Sequence, residues 1–386
     1  MSTDSKSSSS DVKKTKLRVA IMGARCLPAR YGGTETFTEM LALGLVKQGH
    51  EVTVYCCDPY QSDKSKEYQG IRKVIMPTIR MAALEKFTYA AISFVHVCFT
   101  KVDLILMNQI GAGPFCILPR IFGKQVVINP DGLEWKRTIW NWLGATVLKA
   151  FEHISIVFSN RIVADSQAIG VYIMETYGKP SVYIPYGADP KLFQNVTIDL
   201  ARLNLKPNAY CLQVCRLEPE NNAHVVMREF AHTKSSMSLA IVGSSPFSIK
   251  YRESLDELKN DRIYLLGGIF GEGYRALMKN ASIYIHGHEV GGTNPVLLEA
   301  MAAGKCIIAI DVPYNREVLE NTGLYFTKDS GDLASKIDHL ISHPEEIENY
   351  GNLAKQRAID VFTWNRVIRE HEALFIQMME CKNGRH

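Results

Sequence analysis

No run of about eighteen apolar residues occurs in the 386-residue chain, so the sequence predicts no membrane-spanning helix. The first sixteen residues, MSTDSKSSSSDVKKTK, lack the apolar run of a signal peptide. They are Ser/Lys-rich and read as a disordered tail. Among the nine cysteines no pair has zinc-finger or redox-pair spacing, although Cys56 and Cys57 are adjacent and Cys211 and Cys215 share one apparent strand. Reduced thiols of a cytoplasmic protein are expected. There is no Asp-x-Asp pair and no His/Cys cluster, and His286 and His288, flanking one glycine, are weak evidence for a metal. Neither a metal nor any other cofactor is expected. The charge excess of +4 is too mild to argue for a nucleic-acid partner.

What is present suits a soluble globular protein: 46% hydrophobic and 22% charged residues. The length exceeds one ordinary core and predicts two domains. Short apolar runs alternate with longer amphipathic ones. LRVAIMG (17–23), EVTVYCC (51–57), VDLILMN (102–108), QVVINP (125–130), RIVADS (161–166) and SVYIPYG (181–187) read as strands, and 33–48 as a helix ending at Gly49. The rhythm breaks over 189–209 and restarts with YCLQVCRL (210–217), LAIVGSS (239–245), RIYLLGG (262–268), SIYIHGH (282–288) and KCIIAIDV (305–312). Continuous β-branched runs are typical of parallel strands buried on both faces. The expected fold is therefore α/β, with two doubly wound Rossmann-like domains in tandem and a cleft between them. The expected boundaries are a tail over 1–16, a first domain over 17–188, a linker over 189–209 and a second domain over 210–362, followed by 363–386.

Ligands in such sheets sit beyond the carboxyl ends of the strands. Three loops there carry chemistry. In GARCLPARYGGTETF (23–37), Arg25 and Arg30 precede Gly32 and Gly33, which open a helix. Glycines let backbone amides approach a phosphate, and a helix N-terminus adds positive potential. An ordinary loop needing glycine torsions explains the same residues. The stretch is neither a Walker loop nor G-x-G-x-x-G, which disfavours ATP and NAD. In VCRLEPENN (214–222), Arg216 leaves a strand, poised either for a phosphate or for a surface ion pair with Glu218 or Glu220. In HGHEVGGTNPVLLEAMAAGKCIIA (286–309), Gly292, Thr293 and Asn294 precede an apolar helix whose one acid is Glu299. Burying an unpaired carboxylate is costly. Glu299 either accepts hydrogen bonds from sugar hydroxyls or pairs with a Lys or Arg of the other domain.

These segments resemble the retaining glycosyltransferases of family 4, which have the GT-B fold. GGTNPVLLEAMAAGKCIIA is similar to their donor site, CRLEPENN to their phosphate-binding Arg segment, RIVADSQAIGVYIMETYGKPSVYIPYGAD (161–189) to their domain junction and FTWNRVIREHEALF (362–375) to the C-terminal helix that crosses back to the first domain. GARCLPARYGGTETF, DGLEWKR (131–137) and HGHEVGGTNP resemble a bacterial subgroup containing β-1,4-rhamnosyltransferases of polysaccharide assembly. The likeness covers nearly all of 17–380. It departs at three places. The first of two glutamates common in the wider family falls on Gly291, a frequent Lys falls on Asn221, and a common His falls on Pro130.

The resemblance implies an acceptor-binding first domain and a nucleotide-sugar-binding second domain. It implies donor contacts from Gly32, Gly33, Arg216, Gly292, Thr293, Asn294 and Glu299, with Glu299 on the ribose. Asp131 and Glu134 are implied at the acceptor, and Arg216 and Asp131 in catalysis. An Asp-Gly turn is the plain alternative for Asp131. The implied donor is TDP-rhamnose first and a UDP-sugar second; the acceptor is a saccharide, polyprenyl-linked or part of a growing polysaccharide. Two basic-aromatic segments, 79–101 and 136–161, read either as core helices or as helices lying on a membrane surface, which would set a cytoplasmic enzyme at the inner face of the membrane. Two other functions share the motifs: a GT-B nucleotide-sugar epimerase and a non-catalytic nucleotide-sugar-binding module, the latter suggested by Gly291 and Asn221.

Overall fold

A computed structural model describes residues 15–29, 32–61, 63–79, 82–130, 132–137, 140–244, 249–382 and 384. The predicted alternation produces two sheets. Strands β1 (Arg18–Met22), β2 (Glu51–Cys57), β3 (Glu67–Tyr68), β4 (Ile71–Met76), β5 (Leu104–Asn108), β6 (Gln125–Asn129), β7 (Arg161–Ala164) and β8 (Val182–Tyr183) form the first, in the order β3-β4-β2-β1-β5-β6-β7-β8. All its pairings are parallel except β3 with β4. Strands β9 (Tyr210–Val214), β10 (Ser238–Val242), β11 (Ile263–Gly267), β12 (Ile283–His286), β13 (Cys306–Ile310) and β14 (Leu324–Phe326) form the second, all parallel, in the order β11-β10-β9-β12-β13-β14.

The unbroken apolar runs follow from burial on both faces. In β1, Val19 and Ile21 join one core cluster while Ala20 and Met22 join another. In β5, Leu104 and Leu106 are divided in the same way from Ile105 and Met107. One expected strand is much shorter. Of 181–187 only Val182–Tyr183 pairs, because Pro185 has no N–H to donate and Gly187 lies against Trp364. All nine cysteines are free thiols, and only Cys381 is exposed.

The helix Trp364–Lys382 ties the domains together. It buries Trp364, Val367, Ile368, His371 and Phe375. Its partner is the first-domain helix Gly33–Lys47, whose Phe37 ring lies 5.0 Å from Tyr186, 6.4 Å from Trp364 and 5.5 Å from His371. A buried contact closes the far end: His50 Nε2 lies 2.9 Å from Glu372 Oε1, while His50 Nδ1 accepts from the Leu17 amide.

Gly44 stands in the middle of that first-domain helix, and a Cβ there would run into the Ile368 side chain. Replacing a helical glycine by alanine ordinarily adds roughly 1 kcal/mol of stability. Here the sign reverses, because added volume at a packed contact costs about 1–3 kcal/mol. Gly44→Ala is expected to lower the denaturant midpoint, and Ile368→Val in the same chain to restore part of the loss. A raised midpoint for Gly44→Ala alone contradicts the packing account.

Candidate active site

The carboxyl ends of β1, β9 and β12 bring the three loops to one cleft, and the end of β6 adds residues 132–137. The donor-type helix is Pro295–Ala302, and Asn294 caps it with its side chain by accepting from the Val296 amide at 2.9 Å. One turn in, the half-buried Glu299 accepts a hydrogen bond on Oε2 from the Tyr274 hydroxyl. Among the described residues no Lys or Arg of the first domain pairs with it; the cation that influences it is Arg275 of the second domain. Burial pushes its carboxyl above the usual range, opposed by Tyr274 and Arg275. Glu299 lines a crevice with Gly33, Thr36, Tyr186, Asp189 and Trp364.

Arg216 follows β9 and stays 55% exposed in the cleft. Its Nε lies 3.7 Å from Oε2 of Glu218, too far for a hydrogen bond. This is no surface pair, because the Glu218 side chain is only 5% exposed. Burial raises the Glu218 pKa even though Arg216 and Arg137 both oppose the rise. The Arg216 pKa is lowered by desolvation and then by Arg137. Asn221 does not offer itself to a phosphate: it is buried, and its Nδ2 donates to the Arg216 carbonyl at 2.7 Å. Gln213 donates to the Asn221 carbonyl and Asn222 to that of Gly287, both at 2.9 Å, so the Arg216 loop is fixed to the loop after β12.

The first domain supplies Glu134 and Arg137, joined at 3.1 Å from Oε2 to Nε. Arg137 Nη1 in turn lies 3.9 Å from Glu218 Oε2. Glu134, implied at the acceptor, therefore also serves as the anchor of an arginine. Asp131 and Arg30 lie outside the described residues. Arg25, which precedes the glycines of the first loop, is committed elsewhere: its Nε lies 3.2 Å from Glu85 Oε1 and its guanidinium stacks 5.0 Å from the Tyr60 ring.

The glycine-rich loops meet each other. A Cβ on Gly33 would collide with the Pro295 ring, and one on Gly292 with the Asp165 carboxylate. A Cβ on Gly132 would lie 2.7 Å from the Gly291 Cα. Thr293 is buried and its hydroxyl donates to the Asp165 carbonyl, so its side chain docks the domains. With the Thr293 and Asn294 side chains occupied, this segment has its backbone amides to offer a ligand. Gly291 has φ +138, a torsion that side-chain-bearing residues rarely adopt, which accounts physically for the missing glutamate.

His286 and His288 stack at 4.5 Å, and burial lowers both pKa values, that of His288 to about 3 with help from Arg216 and Arg137. The absence of a His cluster from the sequence reading needs correction. His339, His343 and Glu346 bring ligand atoms within 4.8 Å of one another across a helix end, on elements that carry none of the cleft residues. Sequence reasoning also missed Arg137, Glu218 as a buried acid, Asp165, Tyr274 and Glu317, whose carboxylate accepts from the amides of Gln167 and Ala168 at 2.7 and 3.3 Å. Arg137 and Asp165 do lie in stretches quoted for other reasons.

Residues 198–357 match the family model of glycosyl transferases group 1. The second domain is thus similar to glycosyl transferases group 1. Residues 16–189 match a domain of unknown function, DUF1972. The uncharacterized glycosyltransferase MJ1069 of Methanocaldococcus jannaschii is 29% identical over 38% of this chain and 38% of its own length. The MMP alpha-(1->4)-mannosyltransferase of Mycolicibacterium hassiacum is 24% identical over 50% of this chain and 47% of its own. The chain thus matches less than half the length of these curated relatives. Among solved structures, sucrose-phosphate synthase from Thermosynechococcus elongatus superposes with a TM-score of 0.82 at 20% identity, covering 95% of this chain and 100% of that one. Anabaena Alr3699/HepE in complex with UDP-glucose gives 0.74 at 17% identity, covering 94% and 100%. At these identities the likeness shows the fold, which is GT-B as expected.

The buried Glu299 generates a test of stability against pH. Its folded-state pKa is raised, so the folded chain binds the proton more tightly than the unfolded one. Its contribution is therefore least unfavourable below the ordinary carboxyl range and becomes more unfavourable as pH rises through that raised pKa. Glu299→Gln keeps an acceptor for Tyr274 and removes the charge. The variant is expected to melt about 2 °C above the parent at pH 8, with the gain shrinking toward pH 4.5. A gain of equal size at every pH would show that the buried charge is not its source.

Proposed function

We propose that the protein transfers a sugar from a nucleotide donor to a saccharide acceptor with retention of anomeric configuration, as a metal-independent member of family 4. The carrying observation is the Arg216 guanidinium: it is exposed in the cleft with no hydrogen-bonded anion, Glu218 Oε2 standing 3.7 Å off, and Asn221 fixes its backbone carbonyl. In this reading Arg216 and the amides of Gly292 to Asn294 spread the charge of the departing diphosphate. The bond from the anomeric carbon to the phosphate oxygen breaks while the bond to the acceptor oxygen forms on the same face. The acceptor proton passes to the departing phosphate oxygen. Catalysis is then orientation plus charge stabilisation. Gly32 and Gly33 line the donor side, and Asp131 and Glu134 orient the acceptor.

Glu299 accepts from the nucleotide sugar ring, with Tyr274 steering one oxygen and leaving the other. A deoxyribose offers only its 3′ hydroxyl, whereas a ribose offers two. TDP-rhamnose is the first-choice donor and a UDP-sugar the second; the UDP-glucose complex of the Anabaena neighbour supports a nucleoside diphosphate sugar in general. The acceptor is a saccharide, lipid-linked or part of a surface polysaccharide, met at the inner face of the membrane.

Peripheral contact is supported by exposed apolar side chains of the first domain. Phe99 is 78% exposed, Ile121 74% and Trp142 80%. The Phe99 and Phe122 rings lie 5.5 Å apart, and Arg120 donates to the Phe158 carbonyl, which links the helices concerned. Among the described residues no helix is long and apolar enough to cross a membrane.

Two measurements test the reading. In a panel of UDP-, TDP- and GDP-sugars with and without acceptor, acceptor-dependent release of nucleotide is expected, and Arg216→Ala is expected to lower turnover about a hundredfold with little change in melting temperature. Donor isomerised without acceptor indicates an epimerase; donor binding without any turnover indicates a binding module. In liposome flotation, the protein is expected to float with anionic vesicles at low salt and to detach at high salt. A Phe99→Ser, Phe122→Ser, Trp142→Ser variant that floats equally well would remove the apolar face from the account.

A further inference from the structure

Arg137 and Arg216 come from opposite domains and approach the same atom. Arg137 Nη1 lies 3.9 Å and Arg216 Nε 3.7 Å from Oε2 of Glu218. Neither distance is a hydrogen bond, and that buried oxygen has no other hydrogen-bond partner. Two guanidiniums thus converge on one carboxylate that satisfies neither. Arg137 is 18% exposed and is held from behind, its Nε 3.1 Å from Glu134 Oε2. That contact orients the arginine while its Nη1 edge faces the second domain. Asn221 adds no charge, since its amide is spent on the Arg216 carbonyl. His288 stands beside the pair with a buried Nδ1 that makes no hydrogen bond.

Planar guanidiniums with unused donor edges suit oxyanions, and a pair of them suits two linked phosphates better than one. The donor of a nucleotide-dependent sugar transfer carries one negative charge on each of its two phosphates. We propose that Arg137 and Arg216 clamp the pyrophosphate of the donor from the two sides of the cleft, with Glu218 as the internal anion that the phosphates displace. This inference rests on the glycosyltransferase reading. It makes Arg137 a donor-binding residue of the first domain and makes occupation of the donor site draw the two domains together. The clamp reads phosphate number: a monophosphate engages one arginine, a diphosphate both.

The test is calorimetric titration of the full chain with UDP, TDP and the matching monophosphates. The unmodified protein is expected to prefer the diphosphate. Arg137→Gln is expected to weaken diphosphate binding about tenfold or more and monophosphate binding less than threefold, so that the preference collapses. Arg137→Lys, which keeps the charge without the fork, is expected to fall between. Glu299→Gln is expected to weaken both ligands alike. A loss of stability in Arg137→Gln does not decide the matter, because the ratio of the two affinities is insensitive to folding and Arg137→Lys gives a second reading of it. An unchanged ratio in both Arg137 variants overturns the clamp and leaves the transferase reading intact. Failure of the unmodified protein to bind any nucleoside diphosphate overturns both.

Discussion

Glycines close the seam across this cleft, and most of the site follows from that contact. Gly33 faces Pro295, Gly132 faces Gly291, and Gly292 faces Asp165, each at a spacing that leaves no room for a Cβ. Large side chains are thereby kept away from the seam. The Thr293 hydroxyl on the Asp165 carbonyl and the Glu317 carboxylate at the N-terminus of the Gln167–Tyr177 helix fix the two domains beside it. A negative charge at a helix N-terminus is favoured by the aligned peptide dipoles. A ligand at such a seam meets amides from the loops and reaches charge only through long side chains. Arg137, Arg216 and Glu299 are those side chains.

This geometry accounts for two departures from the wider family. A glutamate in place of Gly291 would have to adopt φ +138 next to the backbone of Gly132. A lysine in place of Asn221 would lose the bond to the Arg216 carbonyl, in a position that is almost fully buried. Each has a local structural reason where it stands, the backbone torsion at Gly291 and the loop carrying Arg216 at Asn221. The charge absent from these positions has a counterpart on the first domain, at Arg137.

The fold was legible because burial on both faces writes itself into the sequence as unbroken apolar runs. Strands β1, β5, β9 and β12 follow that rule residue by residue. Where a strand was misjudged, at 181–187, the local chemistry of Pro185 and Gly187 overrode the apolar pattern. The site was legible in part. Loops at strand ends announce themselves by glycines and isolated charges, which is how Arg216 and Glu299 were found. What those charges touch is set by the other domain or by distant loops, and no periodicity encodes that. Arg25 illustrates this: its loop has the composition of a phosphate site, and Glu85, sixty positions later, holds its side chain. Thr293 illustrates it too, since its hydroxyl in a donor-type loop fastens the domains.

Two carboxylates of the cleft, the buried Glu218 and the half-buried Glu299, are costly to keep charged. Glu299 has one neutral donor, Tyr274, and Glu218 has two arginines that stand too far off to hydrogen-bond. Burial raises the pKa of both, so neither is fully compensated by its surroundings. A core selected for stability alone would replace them with apolar residues of similar volume. Their partial compensation has a chemical direction. Glu299 lacks hydroxyl donors, which a ribose or a sugar provides. Arg216 and the Nη1 edge of Arg137 lack a hydrogen-bonded oxyanion, which phosphates provide. In the proposed reading the two deficits are complementary to the two ends of one molecule, a nucleoside joined to a diphosphate.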